Sequence, residues 1–212
     1  MTVVGAFGSP GAKGLLWLGS DIAAKNPQLL KHHHIQHKFN MKEDQRGKDR
    51  KDSRGIITKC FNMATILGHY TSLPADPTQP VPKWRWSGKN KQSTGLRDII
   101  ESVDDHLSQG RSVLLYDNLG SREGVVAIGA YMMSKTGCNA SNAFEHLRRL
   151  RPIIEGHVLF QLRGFQTSGL VSDFLDQTKR QAMPCVCNVE ELESLLKGIP
   201  WLIPAKLSSI KY

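Results

Sequence analysis

An α/β sandwich with a mostly parallel sheet is the fold class this chain predicts, and three observations predict it. The run Val113-Leu114-Leu115 is short, continuous and apolar, as in a strand buried on both faces. Before it, Leu96, Ile99, Ile100, Val103 and Leu107 recur at helical spacing. After it, a glycine-containing loop leads into Val125-Val126-Ala127-Ile128-Gly129-Ala130, small and apolar enough for a buried helix. Alternating helices and strands imply βα units around a parallel sheet. The 212 residues suffice for one domain with a solid core, and a hydrophobic fraction of 40% is ordinary for one.

Residues 1–13 hold Gly, Ser, Pro and Lys and read as an extended arm, with the first strand starting by about Gly14. Ser20-Asp21 is the expected N-cap of a helix from Ile22 to Leu30. His32, His33, His34 and His37 follow. Neighbouring histidines in a loop or strand point in different directions, so they read as a helix end running into the strand Ile35–Asn40 rather than as a metal site. Residues 42–54 contain no apolar side chain and cannot build a core. They read as a solvated insertion or partner-binding arm, with Arg46, Lys48, Arg50, Lys51 and Arg54 as candidate contacts. Ile56–Phe61 is the next strand, and Leu73–Pro82 a Pro-rich loop. Trp84-Arg85-Trp86 alternates as a short strand whose indoles suit core packing better than base stacking. Ser93/Thr94 is the expected cap of the helix Leu96–Leu107 and Gly110 its stop. In residues 176–212, Asn188 and Glu191 form a capping-box-like start before Leu192, Leu195 and Leu196, and Gly198 and Pro200 end that helix. The apolar tail Trp201-Leu202-Ile203-Pro204 suits docking to a partner, through Trp201 and Leu202 above all.

The segment from Ser112 to Gly124 resembles the signature loop of the dual-specificity, cysteine-based protein phosphatases. That pattern runs apolar strand, His-Cys, two residues, Gly, two residues, Arg, Ser/Thr, then a helix ending Ala-Tyr-Leu-Met. Tyr116 falls on the His, Asp117 on the Cys, Gly120 on the Gly, Glu123 on the Arg and Gly124 on the Ser/Thr, and Ala130-Tyr131-Met132-Met133 ends the helix in register. A shift by one would put Arg122 on the Arg but would misalign Gly120 and Ala130-Tyr131, and neither register supplies a thiolate. Leu16-Trp17-Leu18-Gly19-Ser20 looks like the family's first strand, and the stretch Ala143 to Ile154, ending Arg151-Pro152-Ile153-Ile154, is similar to its Ala-Phe helix. Phe160-Gln161-Leu162-Arg163-Gly164-Phe165 resembles the last core helix. The resemblance covers roughly residues 14 to 175, which delimits a phosphatase-like domain between the arm 1–13 and an extension 176–212. It implies a three-layer sandwich with a central sheet of about five strands flanked by helices.

The family's chemistry needs a thiolate nucleophile, an Arg and loop amides to clamp the phosphate, and an Asp to protonate the leaving oxygen. Here Asp117 replaces the nucleophile, Glu123 the clamp, and the general-acid stretch Ser87–Ser93 holds no carboxylate. Like charges beside an incoming phosphate cost on the order of 4 kcal/mol per close pair. An aspartyl phosphoryl acceptor would need a metal held by further carboxylates, and no Asp-x-Asp pair is present. The expectation is a catalytically inactive loop in which Asp117 accepts the loop N–H groups in place of phosphate and Glu123 faces a helix start.

The net charge of +9 favours acidic partners. Cys60, Cys138, Cys185 and Cys187 show no zinc spacing and suit a reducing compartment. No apolar run is long enough to span a membrane, and the N-terminus lacks both the basic start of a secretory signal and an Arg-rich presequence. We therefore expect a cytoplasmic scaffold without cofactor or small-molecule substrate, part of an axonemal or other microtubule structure with tubulin as partner. The alternatives are a ribonucleoprotein such as a mitochondrial ribosome, with RNA as partner and the mitochondrion as location, and a reader of phosphopeptides.

Overall fold

The computed structural model describes residues 1–9, 12–42, 49–63, 66, 95–167 and 171. Six strands form one mixed sheet: β1 (Thr2–Ser9), β2 (Ala12–Ser20), β3 (Ile35–Asn40), β4 (Arg50–Lys51), β5 (Ile57–Cys60) and β6 (Ser112–Asp117), in the order β1-β2-β6-β3-β5-β4. The four inner strands run parallel, and β1 and β4 join antiparallel at the two edges. Strand alternation divides the apolar residues between two layers. Leu16, Leu18, Val113 and Leu115 enter the larger core, which is completed by α3 (Leu96–Leu107), α4 (Glu123–Thr136), α5 (Ala140–Leu150) and α6 (His157–Thr167). Trp17, Leu114 and Tyr116 enter the smaller core with Ala24 from α1 (Asp21–Lys25) and Leu30 from α2 (Pro27–His32). The sandwich expected from the sequence is thus present, with α3 at the bounds its periodicity indicates and β6 extending beyond the apolar run Val113–Leu115 to Ser112 and Asp117.

Three local expectations are corrected. Within the arm, Thr2–Ser9 is strand and β2 already begins at Ala12: β1 pairs along β2, and Val4, Ala6 and Phe7 are buried, Phe7 edge-on to Tyr131 at 5.2 Å. The single helix from Ile22 to Leu30 is two short ones. Ser20 caps the first, its hydroxyl accepting from Ala23 N at 3.3 Å, and Asn26 caps the second, its Oδ1 accepting from Gln28 N and Leu29 N. Pro27 has no N–H to continue the first helix but fits the opening turn of the second. Helix α3 is capped at Gly95, not at Ser93/Thr94, and Asp98 Oδ2 accepts from Gly95 N at 3.1 Å. Residues Leu73–Pro82, Trp84–Trp86, the general-acid stretch Ser87–Ser93 and the extension 176–212 lie outside the described residues, as do Arg46, Lys48, Trp201 and Leu202.

Candidate functional site

Strand β6 ends at Asp117 and α4 begins at Glu123, so five residues turn the chain from sheet to helix. Such a turn points backbone N–H groups into one cradle and aims a positive helix end at it. Asp117 fills that cradle with its own carboxylate. Oδ1 accepts from Leu119 N at 3.0 Å and, in a short bond, from Gly120 N. Oδ2 accepts from Arg122 N at 3.2 Å and from Gly124 N at 2.9 Å. The side chain is 1% exposed, so the charge is compensated by these donors rather than by water. Arg122, the residue before α4, makes no side-chain cap, and Asp117 caps the helix from upstream.

Two glycines make this closure fit. Gly120 has φ +70, and a Cβ there would lie 2.7 Å from the Gly19 carbonyl oxygen. At Gly124 a Cβ would stand 3.3 Å from Asp117 Oδ2 and 3.4 Å from Leu18 Cδ1, so the absent side chain leaves room for the carboxylate. Behind the loop, Arg151 donates from Nε to the Gly120 carbonyl and from Nη2 to the Leu119 carbonyl, both at 2.6 Å. With those carbonyls held outward, the amides face in. Burial lowers the Arg151 pKa, and the Asp117 charge opposes that shift. Only the Arg-Pro-Ile-Ile motif marks Arg151 in the sequence. Its function depends on loop residues 31 and 32 positions away.

Glu123 stands in the first turn of α4, as its charge suits. Arg122 Nε lies 3.7 Å from Glu123 Oε1 and 3.8 Å from Glu155 Oε2, which places this guanidinium outside the cradle and among carboxylates. Glu155 also meets His157 Nδ1 at 3.3 Å and accepts from the Ser121 hydroxyl at 3.4 Å. Tyr116 is buried in the smaller core, and burial pushes its phenol far above the ordinary value. Of the five loop residues singled out in the sequence, Asp117, Gly120 and Gly124 form the cradle, while Glu123 stands beside Arg122 at the helix start and Tyr116 faces the smaller core. The described basic candidates do not join them: Arg50 and Lys51 form the far edge strand, and Arg54 pairs with Asp52 in the adjacent turn.

Among the described residues the thiols are Cys60 and Cys138, and burial pushes the Cys60 thiol up, away from the reactive thiolate. The histidines are dispersed by strand and helix geometry. His33 packs on Trp17 with ring centroids 4.4 Å apart, and His37 stacks on His106 at 3.6 Å. No group of three or more potential metal ligands is found among the described residues, and no helix there is long and apolar enough to cross a membrane.

Residues 16–168 match the family described as dual specificity phosphatase, catalytic domain. Over 124 residues the chain is 31% identical to dual specificity protein phosphatase 1 of Arabidopsis thaliana, covering 55% of this chain and 62% of that protein. The chain thus spans less than two thirds of that relative's length. The solved structure of DUSP15 superposes with a TM-score of 0.52 at 19% identity, covering 76% of this chain and 90% of that one. That of PTPMT1 gives 0.50 at 11% identity, covering 78% and 95%. At such identities the structural likeness speaks for the fold.

Proposed function

The chain belongs to the dual-specificity phosphatase family, and from that premise we propose that it is a member without phosphatase activity that serves as a structural component of a large assembly. One observation carries the first half: the Asp117 carboxylate accepts from Leu119, Gly120, Arg122 and Gly124 N–H. Phosphoryl transfer in this family needs those donors for the substrate's oxygens and a thiolate where Asp117 stands. An incoming phosphate would meet a carboxylate that already holds the donors, with Glu123 where the family pattern has its cationic clamp. Aspartyl chemistry would require Asp117 to abandon four hydrogen bonds and find a metal. An aryl phosphate assayed at several pH values, with and without magnesium, should show no turnover above buffer. Turnover lost on Asp117→Asn would overturn the proposal.

The second half is supported by charge. A chain of net charge +9 suits a stoichiometric partner of an acidic surface, and the microtubule is the assembly we favour. A ribonucleoprotein offers the same electrostatics. Co-sedimentation with microtubules that weakens with salt, and no retention of RNA at the same ionic strength, is the expected outcome. The reverse pattern would move the protein to the ribonucleoprotein. The phosphopeptide reader is disfavoured by the occupied cradle, and wild-type protein should show no preference for a phosphotyrosine peptide over its unphosphorylated form.

A further inference from the structure

A groove of about 590 Å3 opens where β3 and β5 begin, at the end of the parallel strands opposite the Asp117 loop. Its size falls within the range of binding sites for small ligands and side chains. Leu30, Ile35 and Ile56 form an apolar, buried floor. Lys31 and His34, from the end of α2 and the turn after it, and Arg54, from the turn before β5, also line it, and among the described residues no acidic side chain does. Both turns are fixed by local bonds. His34 N donates to the Lys31 carbonyl at 3.1 Å, and Asp52 Oδ1 accepts from Arg54 N at 2.9 Å and Ile56 N at 3.0 Å. The Arg54 guanidinium leans on Asp52 Oδ2 at 2.9 Å but remains 43% exposed, and that nearby carboxylate is outweighed by Lys31 and Arg54 together in a chain of net charge +9.

We propose that this groove docks an acidic peptide segment of a partner protein, one aliphatic side chain on the Leu30–Ile35–Ile56 floor and flanking carboxylates against Lys31 and Arg54. An apolar floor beside cations selects that combination, since carboxylates alone gain little at exposed charges, and an apolar side chain alone would leave the Lys31 ammonium without a carboxylate, Arg54 already having Asp52. The proposal does not rest on the state of the Asp117 loop, so its failure would leave the loss of catalysis untouched.

The test is fluorescence anisotropy with a labelled nine-residue peptide of glutamates around a central leucine, titrated with the full chain at physiological salt. Saturable binding is expected. It should weaken at least tenfold on Lys31→Glu with Arg54→Glu, and on Gln36→Trp, which fills the groove without changing charge. Circular dichroism melting would confirm that each variant is folded. Replacing the central leucine with glutamine should weaken binding several-fold. An all-glutamate peptide binding as tightly as the leucine peptide would overturn the proposal by reducing the effect to charge, and so would affinity unchanged in the variants, because the peptide would then bind outside the groove. Absence of peptide binding would also overturn it, as would binding only to phosphatidylserine vesicles, which would assign the cations to a membrane surface.

Discussion

Asp117 lies where strand meets helix, and its carboxylate holds the N–H groups of that junction. Four N–H groups converge on it, so Asp117→Ala leaves them to water in a largely buried cradle and should cost about 2–4 kcal/mol of stability, read from urea unfolding. The vacated cradle then presents its N–H donors without a tethered anion. Inorganic phosphate at constant ionic strength should raise the Tm of Asp117→Ala combined with Glu123→Gln, and leave the wild type unmoved. Equal shifts in both proteins would show that the cradle is not what the anion sees. Gly124→Ser would push a Cβ to 3.3 Å from Asp117 Oδ2. It should cost about 1 kcal/mol in the wild type and close to nothing beside Asp117→Ala, a coupling that a double-mutant cycle measures. Asp117, Gly120 and Gly124 were legible because a short loop brings sequence neighbours together. Arg151 was not, because its contacts with Leu119 and Gly120 exist only after α4 and α5 have folded back.

At the scale of elements, capping and side-chain clasps decide boundaries that hydrophobic periodicity leaves loose. Pro27 divides what the pattern reads as one helix, and Asn26 serves as C-cap of α1 and N-cap of α2. Helices α3 and α4 are clasped through Asp104, which accepts from the Tyr131 hydroxyl at 3.1 Å and from Lys135 Nζ at 2.6 Å. The Lys135 side chain is only 11% exposed. Asp104→Ala should therefore cost about 1–2 kcal/mol, above the value for an exposed ion pair, and Asp104→Asn should recover part of it by keeping the tyrosine bond. Chemical denaturation of the three proteins decides this, and a loss below about 0.3 kcal/mol for Asp104→Ala would reduce the clasp to a surface contact. Strand β1 was hidden from periodicity because its glycines dilute the pattern, whereas pairing with β2 buries Val4, Ala6 and Phe7 regardless.

Across the whole molecule, imidazoles in partly buried places should set the response to acid. His37 on β3 stacks on His106 of α3, and both rings are lowered to about 4. Burial is the main cause for each; the cations Arg111 and Lys59 add to it, as His106 does for His37. The unfolded chain takes up these protons near pH 6.5, the folded chain only near 4. Stability is therefore whole above about 6.5 and falls as pH drops from there toward 4. Burial shifts His33, His146 and His157 in the same direction, so the observed slope is a sum. The Tm should fall between pH 7.5 and pH 5, and less steeply in His106→Phe, which keeps the stacked ring but removes one proton site and its repulsion. An unchanged slope in that variant would sink the assignment to this pair.

The family, the order of most strands and helices, and the substitutions in the loop follow from residue order alone, because periodicity, turn residues and short motifs are properties of neighbours along a chain. Folding was needed to reveal that the N-terminal residues complete the sheet, that Arg151 holds the loop carbonyls outward, and that Lys31 and Arg54 border one groove. The last two bring together residues about 20 to 30 positions apart, beyond the reach of a local pattern, whereas β1 joins the adjacent β2 as a hairpin whose glycines obscure its alternation. The direction of the Asp117 carboxylate lies between the two cases. Its charge could be read from the chain, but its four donors converge only when α4 packs with Gly124 against it.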